Sequence, residues 1–404
     1  MDILRFITAG NVDDGKSTLI GRLLYDTNNI KSDVLQSVTN DNEINPNLAH
    51  ITDGLRAERE QGITIDVAYK YFTTKSRKYI ITDAPGHFQY TKNLVTGASN
   101  TDLIIILIDA NNGITEQTRR HSFVASFLKI PNVVIAINKM DAVNYGEQVF
   151  TSIKNDFSLI AEQLHLSTVS YVPMSALLGD NVSFQSNHMT WYEGKTLLQY
   201  LEECDSIIVK SNLLRFSVQH VINDGPDKAY AGKVLSGKLK VKDVVTIQPS
   251  KDFVIISKIV EGFTEVTEAQ AGQNICVYLI GKECAKRGDI ISHFAYAPKT
   301  SKHIEAIICW LDTISALKLG KEHILRINAM ETTCKIVEVV YKVDVNTFDQ
   351  YNDEKLIEVN QFAKVRMVTN HVLIFDSFAE VPEMGRGILI DLTTNYTSAA
   401  FTIV

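Results

Sequence analysis

Two regimes of hydrophobic patterning divide the chain. Over the first 208 residues, compact apolar runs alternate with segments whose apolar positions recur every three or four residues, the patterns of buried strands and amphipathic helices. Strands are predicted at Ile3–Ala9, 67–74, Lys78–Asp83, Leu103–Asp109, 133–137 and 169–174. Helices are predicted over 18–25, 116–129 and about 146–165. This alternation predicts an α/β fold, a mostly parallel sheet with helices on both faces. Beyond about residue 208 the helical period disappears. Short strands follow one another at 214–221, 230–235, 244–248, 254–259 and 275–279, then at 304–310, 332–343, 362–368 and 387–391. Turn signals such as Asn223-Asp224-Gly225-Pro226, Ser236-Gly237 and Arg287-Gly288-Asp289 separate them. That spacing predicts two β-barrels. The expected domains are 1–208 (nucleotide-binding), 209–300 and 301–404 (barrels). Neither barrel carries a catalytic constellation, and both read as binding surfaces or spacers.

Composition adds limits. A length of 404 residues accommodates two or three domains. The formal net charge of −7 disfavours nucleic acid as the main partner, although a local basic patch stays open. The longest apolar run, 103–108, is far short of the ~20 residues of a membrane span. The N-terminus enters the first strand directly, so no signal or transit peptide is expected. Five cysteines, at 204, 276, 284, 309 and 334, contain no C-x-x-C pair and suit free thiols in a reducing cytoplasm.

The first chemical signal lies between the first strand and the first helix. Gly10-Asn11-Val12-Asp13-Asp14-Gly15-Lys16-Ser17 fits G-x-x-x-x-G-K-[ST], and Thr18 continues it into the helix. The glycines let backbone N–H groups converge on phosphate, and the helix N-terminus adds partial positive charge. Lys16 supplies a full charge to the β- and γ-phosphates, and Ser17 supplies a hydroxyl for Mg²⁺.

Three further signals fall in order. Thr64, in Gly62-Ile63-Thr64-Ile65, is placed where a GTPase senses the γ-phosphate and Mg²⁺. Asp83-Ala84-Pro85-Gly86-His87 closes a strand with D-x-x-G spacing. Asp83 suits Mg²⁺, Gly86 offers an N–H to the γ-phosphate, and His87 reads either as the residue that positions the attacking water or as a hydrogen-bonded loop histidine. Asn138-Lys139-Met140-Asp141 closes the next buried strand but one. Its Asp accepts the N1–H and N2–H₂ of guanine, its Asn bonds the base edge and its Lys stem packs on the purine, so the wrong base would leave polar groups unpaired. Ser175-Ala176-Leu177 follows the last strand, with the Ala176 N–H placed for guanine O6.

On these motifs the chain resembles the translation-factor-like GTPases, the group of elongation factor Tu and elongation factor 1-alpha. Within that group it is similar to the large, GTPase subunits of bacterial sulfate adenylyltransferases. The stretches that carry this are 10–26, 52–69 and 89–99, above all the Asp13-Asp14 pair before Gly15. Asn11 and the segment 183–190 depart from the pattern, away from the chemistry. The resemblance implies a G domain with two barrels, GTP and Mg²⁺ as ligands, Ser17, Thr64 and Asp83 as metal-site residues, and His87 as the catalytic residue. It also implies a nucleotidyltransferase complex. ATP and sulfate would give adenylyl sulfate and pyrophosphate on a separate small subunit, in a heterodimer or higher assembly, driven by GTP hydrolysis here. The single P-loop and the lack of an S-G-G-x-D-S loop agree with ATP chemistry lying elsewhere. Two rivals are an elongation factor carrying aminoacyl-tRNA, which predicts basic strips on the barrels, and a regulatory GTPase with an unrelated effector.

Overall fold

The structure, a computed structural model, describes residues 2–30, 48, 67–85, 91–204, 211–225, 227–281, 285–352 and 356–404. It separates into two compact units, one of residues 1–207 with 345–348, the other of 208–344 with 349–404.

In the first unit the described strands form one six-stranded sheet. They are β1 (Ile3–Ala9), β2 (Ala68–Thr73), β3 (Lys78–Asp83), β4 (Leu103–Asp109), β5 (Asn132–Asn138) and β6 (Val169–Pro173), in the order β2-β3-β1-β4-β5-β6. Between them run α1 (Lys16–Asp26), α2 (Thr91–Ala98), α3 (Glu116–Phe127) and α4 (Glu147–Gln163), with α5 (Leu197–Glu203) following β6. All seven residues of β4 are buried, which fits a strand with helices on both faces. β1, β3, β4, β5 and β6 are parallel, but β2 runs antiparallel to β3. The turn between β2 and β3 spans only 74–77, too short for a crossover, so the pair must be a hairpin.

Helix starts differ in a way that matters for the site. Thr115 caps α3 through a reciprocal capping box with Thr118. At α1 the N-cap is Gly15, in the left-handed region at φ 94°, with no side-chain cap and no acidic residue in the first turn. Among the described residues no side chain caps the leading N–H groups of α1.

The second unit holds two closed barrels. The first is built from β7 (Arg215–Asp224), β8 (Asp227–Ser236), β10 (Val244–Gln248), β11 (Asp252–Glu261), β14 (Asn274–Ile280) and β15 (Ile290–Ser292), closed by the β10–β11 pairing. The minor strands β9 (Lys238–Lys240), β12 (Thr264–Val266) and β13 (Glu268–Gln270) decorate it. The second is built from β16 (Lys299–Trp310), β17 (Glu322–Ile327), β18 (Met330–Val343), β20 (Phe362–Phe375), β21 (Arg386–Asp391) and β22 (Thr397–Ile403), closed by β17–β18, with β19 (Gln350–Tyr351) at the edge of β18. Three of these twelve barrel strands, β15, β17 and β22, were not anticipated from sequence.

The barrels share an apolar seam of Ile290, Ile374, Val381 and Met384, with Leu213 and Leu235 against it. Through that seam Arg215 of β7 makes a bidentate pair with Asp376 after β20, at 2.7 and 2.8 Å. Its remaining donors go to the carbonyls of Leu214 and Tyr296. A buried pair satisfied this completely is costly to half-remove. Arg215→Ala or Asp376→Ala should each lower stability by about 3–5 kcal/mol, whereas Arg215→Met with Asp376→Leu should recover most of the loss. Urea unfolding checks this; single variants within 1 kcal/mol of the parent would show that the pair contributes little.

Candidate functional site

The sequence-selected residues within the described structure gather at the C-terminal edge of the parallel strands, between β1, β3, β5 and β6. The loop 10–15 curls there with its own bracing. Asp14 Oδ2 accepts the Asn11 N–H at 2.6 Å, and Asn11 Oδ1 accepts the Val12 N–H. Asp13 is exposed with φ 69°. Asp14 is buried, and burial pushes its carboxyl up against the opposing pull of the Asn11 hydrogen bond and Lys16. Lys16 is buried too, and its Nζ donates to the carbonyls of Gly10 at 3.2 Å and Asn11 at 2.7 Å. Burial depresses the ammonium, while Asp83, Asp14 and Asp13 oppose that shift. Ser17 and Thr18 stand half-buried in the first turn of α1.

Asn138 ties this loop to the far side of the site. Its Nδ2 donates to the Asp14 carbonyl at 2.8 Å, and its Oδ1 accepts the Ala176 N–H at 2.9 Å. A Cβ on Gly15 would come within 2.4 Å of that Nδ2, so glycine is required there for space as well as for φ. The Ala176 amide assigned from sequence to guanine O6 is thus engaged by Asn138. The Leu178 N–H goes to Ser175 Oγ and the Gly179 N–H to the Ser175 carbonyl. The Leu177 N–H is the amide of this turn without an acceptor among the described residues. Asn138 retains one amide proton and one lone pair for a base edge.

The rest of the Asn138-Lys139-Met140-Asp141 motif is held from outside. Met140 is fully buried and its N–H reaches the Met174 carbonyl. Lys139, at φ 61°, pairs its Nζ with Asp109 Oδ2 at 2.8 Å. Burial works to raise the Asp109 carboxyl, but Lys139 and Asn111 outweigh it and hold the group below its usual range. Tyr145 donates to Asp180 at 3.2 Å, and burial with the Asp180 charge pushes its phenol up to about 12. Trp191 Nε1 bonds the Tyr145 carbonyl. Asp141 Oδ1 is buried and has no hydrogen-bond partner among the described residues. A carboxylate oxygen in that condition is destabilised unless a ligand supplies donors.

At the end of β3, Asp83 is buried and its Oδ1 accepts from Thr8 Oγ1 at 3.2 Å, with Ala84 and Pro85 buried after it. Thr64, Gly86 and His87 lie outside the described residues. Sequence reasoning gave no role to Arg22, Asp109, Tyr145 or Asp180, although Arg22 stands out as a cation inside the apolar run of α1.

A profile of the elongation factor Tu GTP-binding domain matches residues 1–223, more than half of the chain. A profile of the eEF1A C-terminal domain-like family matches 303–404. The chain is 41% identical to sulfate adenylyltransferase subunit 1 of Buchnera aphidicola over 416 aligned positions, covering 100% of this chain and 86% of that one. It is 42% identical to the subunit 1 proteins of Saccharophagus degradans and Shewanella oneidensis, covering 100% of this chain and 87% and 85% of theirs. The chain belongs to the sulfate adenylyltransferase subunit 1 family. That family sits among the translation-factor-like GTPases, and the α/β domain with two barrels is the fold of that group. A solved Ski7 GTPase-like domain of S. cerevisiae shares the fold, with a TM-score of 0.53 and 18% identity over 100% of this chain and 97% of that one. Among the described residues no helix is long and apolar enough to cross a membrane.

His121 of α3 is buried within electrostatic range of Lys16, and its Nδ1 has no partner among the described residues. Burial, with Lys16 and Arg120 adding to it, lowers its pKa to about 3. The folded state therefore holds it neutral, while the unfolded chain binds a proton below the ordinary value of about 6.5. Stability should be full above that value and fall as pH drops through the window from about 6.5 to about 3, by up to ~1.4 kcal/mol per pH unit. His121→Gln should flatten this dependence in urea midpoints measured from pH 7.5 to 5; an unchanged slope would assign it to other groups.

Proposed function

We propose that this chain is the GTP-hydrolysing subunit of a sulfate adenylyltransferase, and that its hydrolysis drives adenylyl sulfate and pyrophosphate formation from ATP and sulfate on a partner small subunit. The observation that carries the nucleotide assignment is the Asp141 carboxylate, with a buried oxygen that has no donor among the described residues, beside the Asn138 strut that joins the loop 10–15 to Ser175-Ala176-Leu177. Guanine presents two N–H donors on one edge, which adenine does not, so Asp141 selects guanine. The bare first turn of α1 and Lys16 take the phosphates. On this reading 1–208 is the nucleotide-binding domain, and 209–300 and 301–404 are the barrels.

The donor set fits Mg²⁺. Asp83 and Ser17 are hard oxygen donors on the phosphate side, and Thr64 completes the set. Among the described residues no cluster of three or more His, Cys, Asp or Glu side chains forms a metal cage, consistent with an ion held mainly by phosphate, hydroxyl and water. Mg²⁺ when bound neutralises charge between the β- and γ-phosphates. His87 orients the attacking water.

The relatives' designation as subunit 1 supports a multi-subunit enzyme. The adenylyl transfer needs the partner, because the described residues present one phosphate loop built for guanine nucleotide. Coupling requires the partner to bind the GTP and GDP states with different affinity. Free thiols at Cys204, Cys276, Cys309 and Cys334 fit a cytoplasmic location.

Pyrophosphate release from ATP and sulfate should be stimulated by this chain only when the small subunit and GTP are both present, and Lys16→Ala should abolish that stimulation. No stimulation, together with GTP-dependent binding of aminoacyl-tRNA, would move the chain to the carrier GTPases. Asp141→Asn should shift preference from GTP toward xanthosine triphosphate, whose edge matches the reversed amide. Competition binding reads this directly, and retained guanine preference would remove Asp141 from base reading.

A further inference from the structure

We propose that Arg22 is a positioning residue for base selection: it fixes and polarises the Leu177 amide so that its N–H faces the O6 of the purine. This rests on the guanine reading of the site and extends it to a residue on α1, remote in sequence from the turn it governs.

Arg22 is 8% exposed, within the otherwise apolar segment 19–24. Its Nε donates to the Ala176 carbonyl at 3.2 Å and its Nη2 to the Leu177 carbonyl at 2.5 Å. Its Nη1 faces Asp26 Oδ1 at 3.6 Å. One guanidinium therefore grips two consecutive carbonyls of the turn after β6. The fork geometry of arginine allows this, whereas a lysine ammonium is a point donor.

The Ala176 carbonyl and the Leu177 N–H belong to the same peptide group. That group is planar and trans, so the N–H points opposite to the carbonyl. With the carbonyl held by Arg22, the N–H must be directed away from α1. The charge-assisted bond to the carbonyl also makes the N–H a stronger donor, since hydrogen bonds in a chain polarise one another. The neighbouring amides are already engaged, Ala176 by Asn138 Oδ1, Leu178 by Ser175 Oγ and Gly179 by the Ser175 carbonyl. Gly179, at φ +91°, lies over the guanidinium, where a Cβ would sit 3.6 Å from Arg22 Cδ. The turn is thus packed on Arg22 with one donor left over. A fixed donor at this place accepts a carbonyl such as O6 and rejects the amino group that adenine carries there.

The test separates O6 recognition from general support of the loop. Dissociation constants for GDP, IDP and 2-aminopurine riboside diphosphate are measured for the parent chain, Arg22→Ala and Arg22→Lys. IDP keeps O6 and N1–H and lacks the 2-amino group; the 2-aminopurine nucleotide keeps the amino group and lacks both O6 and N1–H, and each variant is compared with the parent on the same ligand so that the lost N1–H cancels. Arg22→Ala should weaken GDP and IDP each by about tenfold and leave the 2-aminopurine nucleotide within about twofold. Arg22→Lys keeps a cation beside Asp26 and should show a smaller loss with the same pattern, so it carries the test if the alanine variant does not fold. Equal weakening of all three ligands, or undiminished GDP binding, overturns the proposal. If the parent chain binds GDP no more tightly than the 2-aminopurine nucleotide, the guanine reading itself fails, and the inference with it.

Discussion

Everything at the nucleotide edge depends on one side-chain amide. Asn138 ends β5, the strand that lies between the phosphate-loop side of the sheet and its β6 edge. From there it holds a carbonyl of the phosphate loop with its nitrogen and an amide of the turn after β6 with its oxygen. Both bonds are buried, so losing either leaves an unpaired polar group as well as a missing link. Gly15 exists in its present form partly to admit that side chain, since any Cβ would collide with it. The distance between the loop 10–15 and the turn after β6 is thus set by the length of a single amide.

Much of this site was legible before the fold was known, because its chemistry is local in sequence. Gly10 to Ser17, Asp83 and Asn138 to Asp141 each sit where an apolar strand stops, and a strand followed by a loop can be read from periodicity. What escaped was the wiring between motifs. Arg22 and Ala176 are 154 positions apart, and Asn138 and Asp14 are 124 apart. Nothing in hydrophobic spacing reports such pairings. The same limit explains why the bond between Asn138 and the Ala176 amide was not foreseen.

The fold shows a parallel division. The α/β half was readable because β4 and β5 are long buried runs flanked by helical periods. The exception was β2, whose antiparallel direction follows from the four-residue turn after it and not from its own pattern. In the barrels β17 (Glu322–Ile327) has its apolar residues broken by His323 and Arg326, and β22 (Thr397–Ile403) is rich in small residues, so neither stood out as apolar. Their places follow from barrel closure, a property of the whole sheet that no window of sequence contains.

The bare start of α1 has a consequence for the protein's life in the cell. A helix whose first N–H groups receive no side-chain oxygen gains part of its folding free energy from whatever anion arrives. At a hundredfold excess over its dissociation constant, a ligand adds about 2.7 kcal/mol to the stability of the state that binds it. Nucleotide is then a structural component as well as a substrate, and each exchange event passes through a moment when the domain is less stable. A chain built this way resists unfolding more with an anionic ligand seated on that helix start than with the start open.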